Sequence, residues 1–160
     1  MTVFKALLAS AALLGTATTA AAQVAPADPA PYVNIGVEAF DFEGASGNLV
    51  GRVGYSWGYF GVEGEGRVGV LDDNDDFKID YGLAGYGIGR LPVSDSFDVF
   101  ARAGYHYTDA GFGDADGFAF GGGGQFNFGP EKQNGIRVEY TNLDDGGSAD
   151  VYSIAFARRF

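Results

Sequence analysis

Cysteine is absent from this chain of 160 residues, so no disulfide framework can hold its fold together. Beyond residue 22 the sequence also has no apolar run near the ~18 residues that a membrane-spanning helix requires. Positive charge is scarce, because 10 Lys and Arg stand against 21 Asp and Glu and give a formal net charge of -11. These shortages exclude a disulfide-stapled domain and a helical membrane anchor, and they disfavour nucleic acid as a partner.

Glycine and aromatic residues are abundant instead. The chain contains 27 Gly, 14 Phe and 9 Tyr but a single Met, and few long helix-forming side chains are present. This composition disfavours helices and favours strands. Because aromatic residues are interleaved with the glycines, we interpret glycine-rich stretches such as residues 121–124 as tightly curved strands and not as a flexible linker.

The N-terminal residues have the composition of a secretory signal. Lys5 gives a short positive start, "ALLASAALL" forms an apolar core over residues 6–14, and the small residues "TTAAA" precede Gln23. This pattern predicts a signal peptide over residues 1–22, with cleavage between Ala22 and Gln23. Residues 23–31 are rich in Pro and Ala, and we expect an extended or disordered linker there. Residues 32–160 then form a single domain.

From Tyr32 onward, apolar and polar residues alternate with a period of two. Eight segments show this pattern, and they run near the ~9–11 residues that a tilted strand needs to cross a bilayer. The segments span residues 32–41, 49–57, 59–71, 77–91, 97–107, 118–128, 135–142 and 150–160. Alternation over such lengths predicts strands with one polar face in contact with water or other polar groups and one apolar face shielded from water.

The polar face of these strands carries charges of both signs. The candidates for a charge network are Glu38, Arg52, Glu63, Glu65, Arg67, Lys78, Asp80, Asp98, Arg102, Arg137 and Glu139. Nearly balanced charges indicate ion pairs in a confined lumen, and aromatic residues at the strand ends match the girdles of membrane barrels. The sequence therefore predicts an all-β fold: an eight-stranded antiparallel up-and-down transmembrane β-barrel, with side chains filling its narrow interior.

The links between the segments differ on the two sides of this predicted barrel. The links at residues 43–48, 72–76, 108–117 and 144–149 carry ten carboxylates and no Lys or Arg. The links at residues 58, 92–96 and 129–134 are tighter. Bacterial outer-membrane barrels have short periplasmic turns and longer outer loops. We therefore expect a location in the cell outer membrane, with the acidic links outside and both mature termini in the periplasm.

The last half of the chain resembles a known family. The stretches "VFARAGYHYTDA", "DGFAFGGGGQFNFGPEKQNGIRVEYTNLDD" and "ADVYSIAFARRF" look like the last four strands of the OmpA/OmpX-type family of small outer-membrane β-barrels. The resemblance implies that Tyr152, Ile154, Phe156 and Phe160 form the C-terminal signal for the outer-membrane assembly machinery. That machinery, periplasmic chaperones, outer-membrane lipid and lipopolysaccharide are the implied partners. Arg158 departs from the family pattern, and we expect its side chain to snorkel to the periplasmic interface.

No catalytic, metal or cofactor constellation is recognisable. His106 is the only histidine, its parity places it inward, and no Ser stands in an obvious nucleophile context. The acidic stretches "DDNDD" and "DADG" offer oxygen ligands that suit Ca²⁺, but neither completes a binding-loop pattern. We therefore interpret His106 as a lumen or rim residue and the acidic stretches as solvated loops, and we expect no enzyme activity and no cofactor.

Three functions remain open at this point. The first is a non-enzymatic integral outer-membrane protein that contributes to envelope integrity, or to surface contacts through its acidic loops. The second is a narrow passive channel of porin type, which planar-bilayer conductance would reveal. The third is a soluble exported ligand-binding barrel of lipocalin type, which would keep its apolar side chains inside.

Overall fold

The chain folds into a closed β-barrel, shown by a computed structural model that describes residues 25, 28–40, 46–71, 79–110, 113–144 and 148–160. Each strand is antiparallel to its neighbours in sequence, and β1 pairs with β8 to close the barrel. The strands are β1 (Ala30–Phe40), β2 (Ser46–Trp57), β3 (Phe60–Leu71), β4 (Ile79–Ser94), β5 (Phe97–Ala110), β6 (Gly113–Phe128), β7 (Asn134–Asp144) and β8 (Ser148–Arg159). The predicted eight-stranded antiparallel up-and-down barrel is confirmed.

The barrel has its apolar side chains outside and its charged side chains inside. Val138 on β7 pairs with Ile154 on β8, and their exposed fractions are 57% and 52%. Arg137 and Glu63 have exposed fractions of only 1% and 3%. This orientation suits a barrel that faces hydrocarbon. It contradicts the lipocalin-type alternative, which requires the apolar face inside.

Large aromatic side chains face outward near both ends of the barrel. Trp57 and Phe128 lie at the end where the chain enters β1 and leaves β8, and Phe118 lies toward the opposite end. Near the opposite end the Tyr105 hydroxyl donates to Asp116 of the neighbouring strand. Aromatic rings that combine an apolar body with a polar tip suit the boundary between lipid and water.

Tight turns connect the strands at the end that holds the termini. Gly58 has φ +59° in the turn between β2 and β3, a conformation that L side chains rarely adopt. A 3-10 helix, Pro130–Lys132, connects β6 to β7. No helix in the described part of the chain is long and apolar enough to cross a membrane.

Strands β5 and β6 extend further than the sequence predicted. Residues 108–117 were predicted to be a loop, but Thr108 pairs with Ala115 and Asp109 pairs with Asp114 in a hairpin. That prediction was wrong because polar residues face outward in this part of the hairpin, so the apolar signature of a membrane strand is missing there. Similarly, β1 begins at Ala30, inside the predicted linker. The predicted signal peptide, residues 23–24 and 26–27 of the linker, and the 72–76 link lie outside the described residues.

Candidate functional site

Four glutamates and four arginines meet across the barrel lumen. We call this set the charged layer, and it consists of Glu38, Glu63, Glu65, Glu139, Arg52, Arg67, Arg102 and Arg137. Each side chain in the layer keeps at most 2% of its surface exposed. The period-two geometry of a strand explains the grouping, because it places Glu63, Glu65 and Arg67 of β3 on the same face. The formal charges cancel, as buried ions require.

Arg137 joins opposite walls of the barrel. Its Nη1 and Nη2 atoms lie 2.7 and 3.2 Å from the two carboxylate oxygens of Glu63, so the pair is bidentate. Its Nε atom lies 2.9 Å from Oε2 of Glu139, which stands two residues further along β7. A planar guanidinium fork matched to a carboxylate in this way gives a directional and strong contact.

Glu65 is shared by three arginines. Arg52 Nε lies 2.6 Å and Arg102 Nη1 lies 2.9 Å from Glu65 Oε2, while Arg67 contacts the other carboxylate oxygen. Arg102 also lies 2.5 Å from Glu139 through Nη2. The contacts therefore form one connected network across the lumen and not a set of separate pairs, so each side chain depends on several others.

Glu38 is held more loosely than the other carboxylates of the charged layer. It lies 3.3 Å from Arg67 Nε and 3.8 Å from Arg52 Nη2, as ion pairs without a hydrogen bond in the described structure. Its position near the end of β1 places it toward the end of the barrel that carries the acidic links, opposite the termini. The layer is thus most tightly bonded around Glu63, Glu65 and Glu139.

Two aromatic rings support the arginines from inside the lumen. The Arg102 guanidinium lies 3.9 Å from the ring centroid of Tyr86, and that of Arg137 lies 4.1 Å from the ring centroid of Phe100. A cation over a desolvated aromatic face is attracted by the ring quadrupole. Neither aromatic residue was among the predicted site residues, although Phe100 stands two positions before Arg102 and therefore faces inward by the same alternation.

The glycine at position 82 leaves room for the side chain of Arg67. A Cβ atom at Gly82 would lie only 2.7 Å from Cγ of Arg67 on the neighbouring strand. Glycine at this position therefore lets the arginine stem lie against the barrel wall. The abundance of glycine thus has one specific explanation here: large charged side chains must fit into a narrow barrel.

Asp98, another residue of the predicted network, lies apart from the charged layer. Asp98 lies toward the end that holds the termini, 3.7 Å from Arg90, and accepts a hydrogen bond of 2.8 Å from Asn127. The alternation indicates the face of the strand on which Asp98 lies but not its depth in the barrel, so it does not distinguish Asp98 from the residues of the charged layer. Lys78 and the side chain of Asp80 lie outside the described residues.

The other sequence-selected residues are distributed over the barrel. His106 is buried and faces the lumen. Tyr152, Ile154 and Phe156 face outward along β8, and Phe160 is exposed beyond its end. Within the described ranges, no group of three or more His, Asp or Glu side chains is arranged to hold a metal ion. The charged layer is therefore the principal polar feature of the lumen.

The family model described as outer membrane protein beta-barrel domain matches residues 8–160. The chain belongs to this family. The location in the outer membrane follows from that membership and agrees with the apolar outer face. None of the curated proteins shows significant sequence similarity to this outer-membrane barrel.

Solved structures of other small barrels superpose on it. A designed transmembrane β-barrel shares 15% identity with a TM-score of 0.63, covering 86% of this chain and 100% of that chain. The attachment invasion locus protein Ail of Yersinia pestis, in complex with the heparin analogue sucrose octasulfate, shares 15% identity with a TM-score of 0.61, covering 84% and 100%. Neisserial surface protein A shares 10% identity with a TM-score of 0.63, covering 86% and 100%. At these identities the similarity establishes the fold alone.

Proposed function

We propose that this outer-membrane barrel is a non-enzymatic structural protein of the cell envelope, with a closed lumen and a surface-exposed acidic rim. The observation that carries the proposal is the charged layer, whose eight side chains are almost completely buried and bonded to one another. A lumen filled in this way leaves no room for a permeating solute. The role in the envelope then rests on the outer surface and the rim.

The proposal predicts that the protein does not conduct ions. Purified protein inserted into planar lipid bilayers should give no discrete current steps, because the side chains of the charged layer occupy the lumen and satisfy one another. A porin reconstituted in the same bilayers serves as the positive control. Reproducible current steps from the wild-type protein would overturn the closed lumen and establish the channel alternative.

The acidic rim favours contacts with cationic groups at the cell surface. The described carboxylates at this end include Asp114, Asp116 and Asp144 of the links, together with Asp150. The related barrel Ail was crystallised with a sulfated heparin analogue. Like-charge repulsion opposes a ligand of that class here. Lipopolysaccharide phosphates would require bridging divalent cations for the same reason.

The exposed residues of β8 support a role in assembly. We expect Phe160, with Tyr152, Ile154 and Phe156, to form the signal that the assembly machinery reads. Phe160→Ala should therefore lower the amount of protein that reaches the cell surface several-fold. The assay is labelling of intact cells with a membrane-impermeant maleimide, using Ser148→Cys at the acidic end as the reporter, since the chain has no native cysteine.

The matched control for this variant is Phe128→Ala. Phe128 is also an exposed aromatic residue at the terminal end, and its ring centroid lies 6.4 Å from that of Phe156. If both alanine variants reduce surface labelling equally, Phe160 contributes only lipid contact and the signal is refuted. The same reagent tests orientation, because Ser94→Cys at the opposite end should remain unlabelled in intact cells when both termini are periplasmic.

A further inference from the structure

A second polar site lies at the end of the barrel where both termini are found. A cavity of about 330 Å³ opens there between the strand ends and the 3-10 helix. We call it the vestibule. Its lining includes Tyr32, Arg90, Asp98, Gln125, Asn127 and Lys132. This volume falls within the range of small-ligand pockets.

Positive charge is concentrated in the vestibule. The described residues contain eight basic side chains, of which four belong to the charged layer and four line the vestibule. The four vestibule residues are Arg90, Lys132, Arg158 and Arg159, and the acidic lining residues are Asp95, Asp98 and Glu131. The lining therefore has a small positive balance in a chain whose formal net charge is -11. A field of this sign favours an anion.

Arg90 differs from the other three basic residues of the vestibule, each of which donates a side-chain hydrogen bond within the described structure. Its side chain is only 16% exposed, yet it donates no side-chain hydrogen bond to any residue that the structure describes. Its contacts are a 3.7 Å ion pair with Asp98 and a position 5.6 Å from the ring centroid of Tyr32. A guanidinium has five N–H donors, and a largely buried one needs acceptors.

Other polar residues that line the vestibule already form hydrogen bonds with partners other than Arg90. Asp98 accepts a 2.8 Å hydrogen bond from Asn127, which in turn accepts one of 2.7 Å from Gln125. Lys132 donates to the Asp95 carbonyl at 2.5 Å, and Arg159 donates to the Asp28 carbonyl. These hydrogen bonds hold the polar side chains of the vestibule in place. The Arg90 guanidinium lines the cavity, where a planar or tetrahedral oxyanion can accept two hydrogen bonds from it.

We propose that the vestibule binds a phosphate ester, with Arg90 as its principal ligand. The phosphate comes either from a small soluble molecule of the periplasm or from a phospholipid headgroup at the adjacent bilayer surface. Both sources present the same oxyanion to the same guanidinium. The site adjoins the charged layer through Tyr32, whose hydroxyl donates to Glu63 at 3.0 Å, but Arg90 itself is not a member of that layer.

The test uses full-length mature protein purified from outer membranes in a maltoside detergent. Isothermal titration with glycerol 3-phosphate should show saturable binding, and Arg90→Gln should weaken it about tenfold or more, since hydrogen bonds to a charged group are lost. Glu131→Gln removes an exposed carboxylate from the same cavity and should leave binding unchanged or tighter. Heat-modifiable migration shows whether each variant is folded, and Arg90→Met, which also removes the charge, provides a second variant if Arg90→Gln is not.

The source of the phosphate is decided by a second measurement. If glycerol 3-phosphate does not bind, native mass spectrometry should find a phospholipid that remains with the wild-type protein and is lost from Arg90→Gln, which supports the headgroup source. The proposal is overturned if neither ligand is found on the wild-type protein. It is also overturned if binding survives in the folded Arg90 variants.

Discussion

Replacing Val138 with lysine is expected to destabilise the folded barrel by about 2–4 kcal/mol in lipid vesicles, the cost of a basic residue at the bilayer midplane. Val138 lies near the middle of β7 and faces outward beside Ile154, with 57% of its surface exposed. In water such an exposed position would tolerate lysine within about 0.5 kcal/mol. The urea midpoint of the vesicle-bound protein, read by heat-modifiable migration, measures the difference.

Two controls separate the lipid contact from other effects of the substitution. Val138→Leu keeps the site apolar and should leave the urea midpoint nearly unchanged. Asp144→Lys makes a larger change in charge at an exposed rim position of the same strand and should have a small effect. A Val138→Lys protein as stable as its Val138→Leu counterpart would mean that water, and not hydrocarbon, contacts the outer face of β7.

Replacing Arg137 with alanine should produce a comparable or larger loss, about 3–5 kcal/mol. Arg137 is a bidentate partner of Glu63 and also binds Glu139, so its removal leaves two buried carboxylates short of positive charge. Most of this loss of folding free energy comes from leaving the two carboxylates buried without a counter-ion, and less of it comes from the lost contacts themselves. The measurement is the temperature at which the purified protein changes its migration in a heat-modifiability gel.

The controls for this variant test the charge balance directly. Asp144→Ala removes an exposed rim charge and should lower the transition temperature very little. The double variant Arg137→Met with Glu63→Gln removes one charge of each sign and should recover part of the lost stability. Equal losses for Arg137→Ala and Asp144→Ala would show that the charged layer does not support the barrel.

The alternation of the sequence was sufficient to predict the fold and the face on which each strand residue lies. Arg52, Arg102 and Arg137 all face the lumen, as their parity indicated. Parity also places Tyr86 and Phe100 inside, where they are buried. Each of these rings covers an arginine of a different strand, so the cation–π contacts depend on how the strands are arranged around the lumen and could not be predicted from local sequence.

The sequence was not sufficient to predict which inward charges would meet. Depth in a barrel depends on the stagger between strands, and that stagger emerges only when the sheet closes. Asp98 and Arg102 share one face of β5, yet Asp98 pairs with Arg90 at the mouth while Arg102 binds Glu65 in the centre. Arg90 went unnoticed for the same reason, since nothing local distinguishes it from the arginines of the charged layer.

The pairing of β1 with β8 has a consequence for biogenesis. Tyr32 lies opposite Arg159, so the seam joins residues from the two extremes of the domain and can be sealed only after the whole polypeptide is available. Until then two strand edges remain unpaired, which invites aggregation. Contacts between residues so distant in sequence also slow folding. Arg137 lies in β7, so a sheet formed from the first strands alone would hold Glu63 without its bidentate counter-ion. We expect stalled or truncated chains to be targets for proteolysis and not half-built barrels that persist in the bilayer.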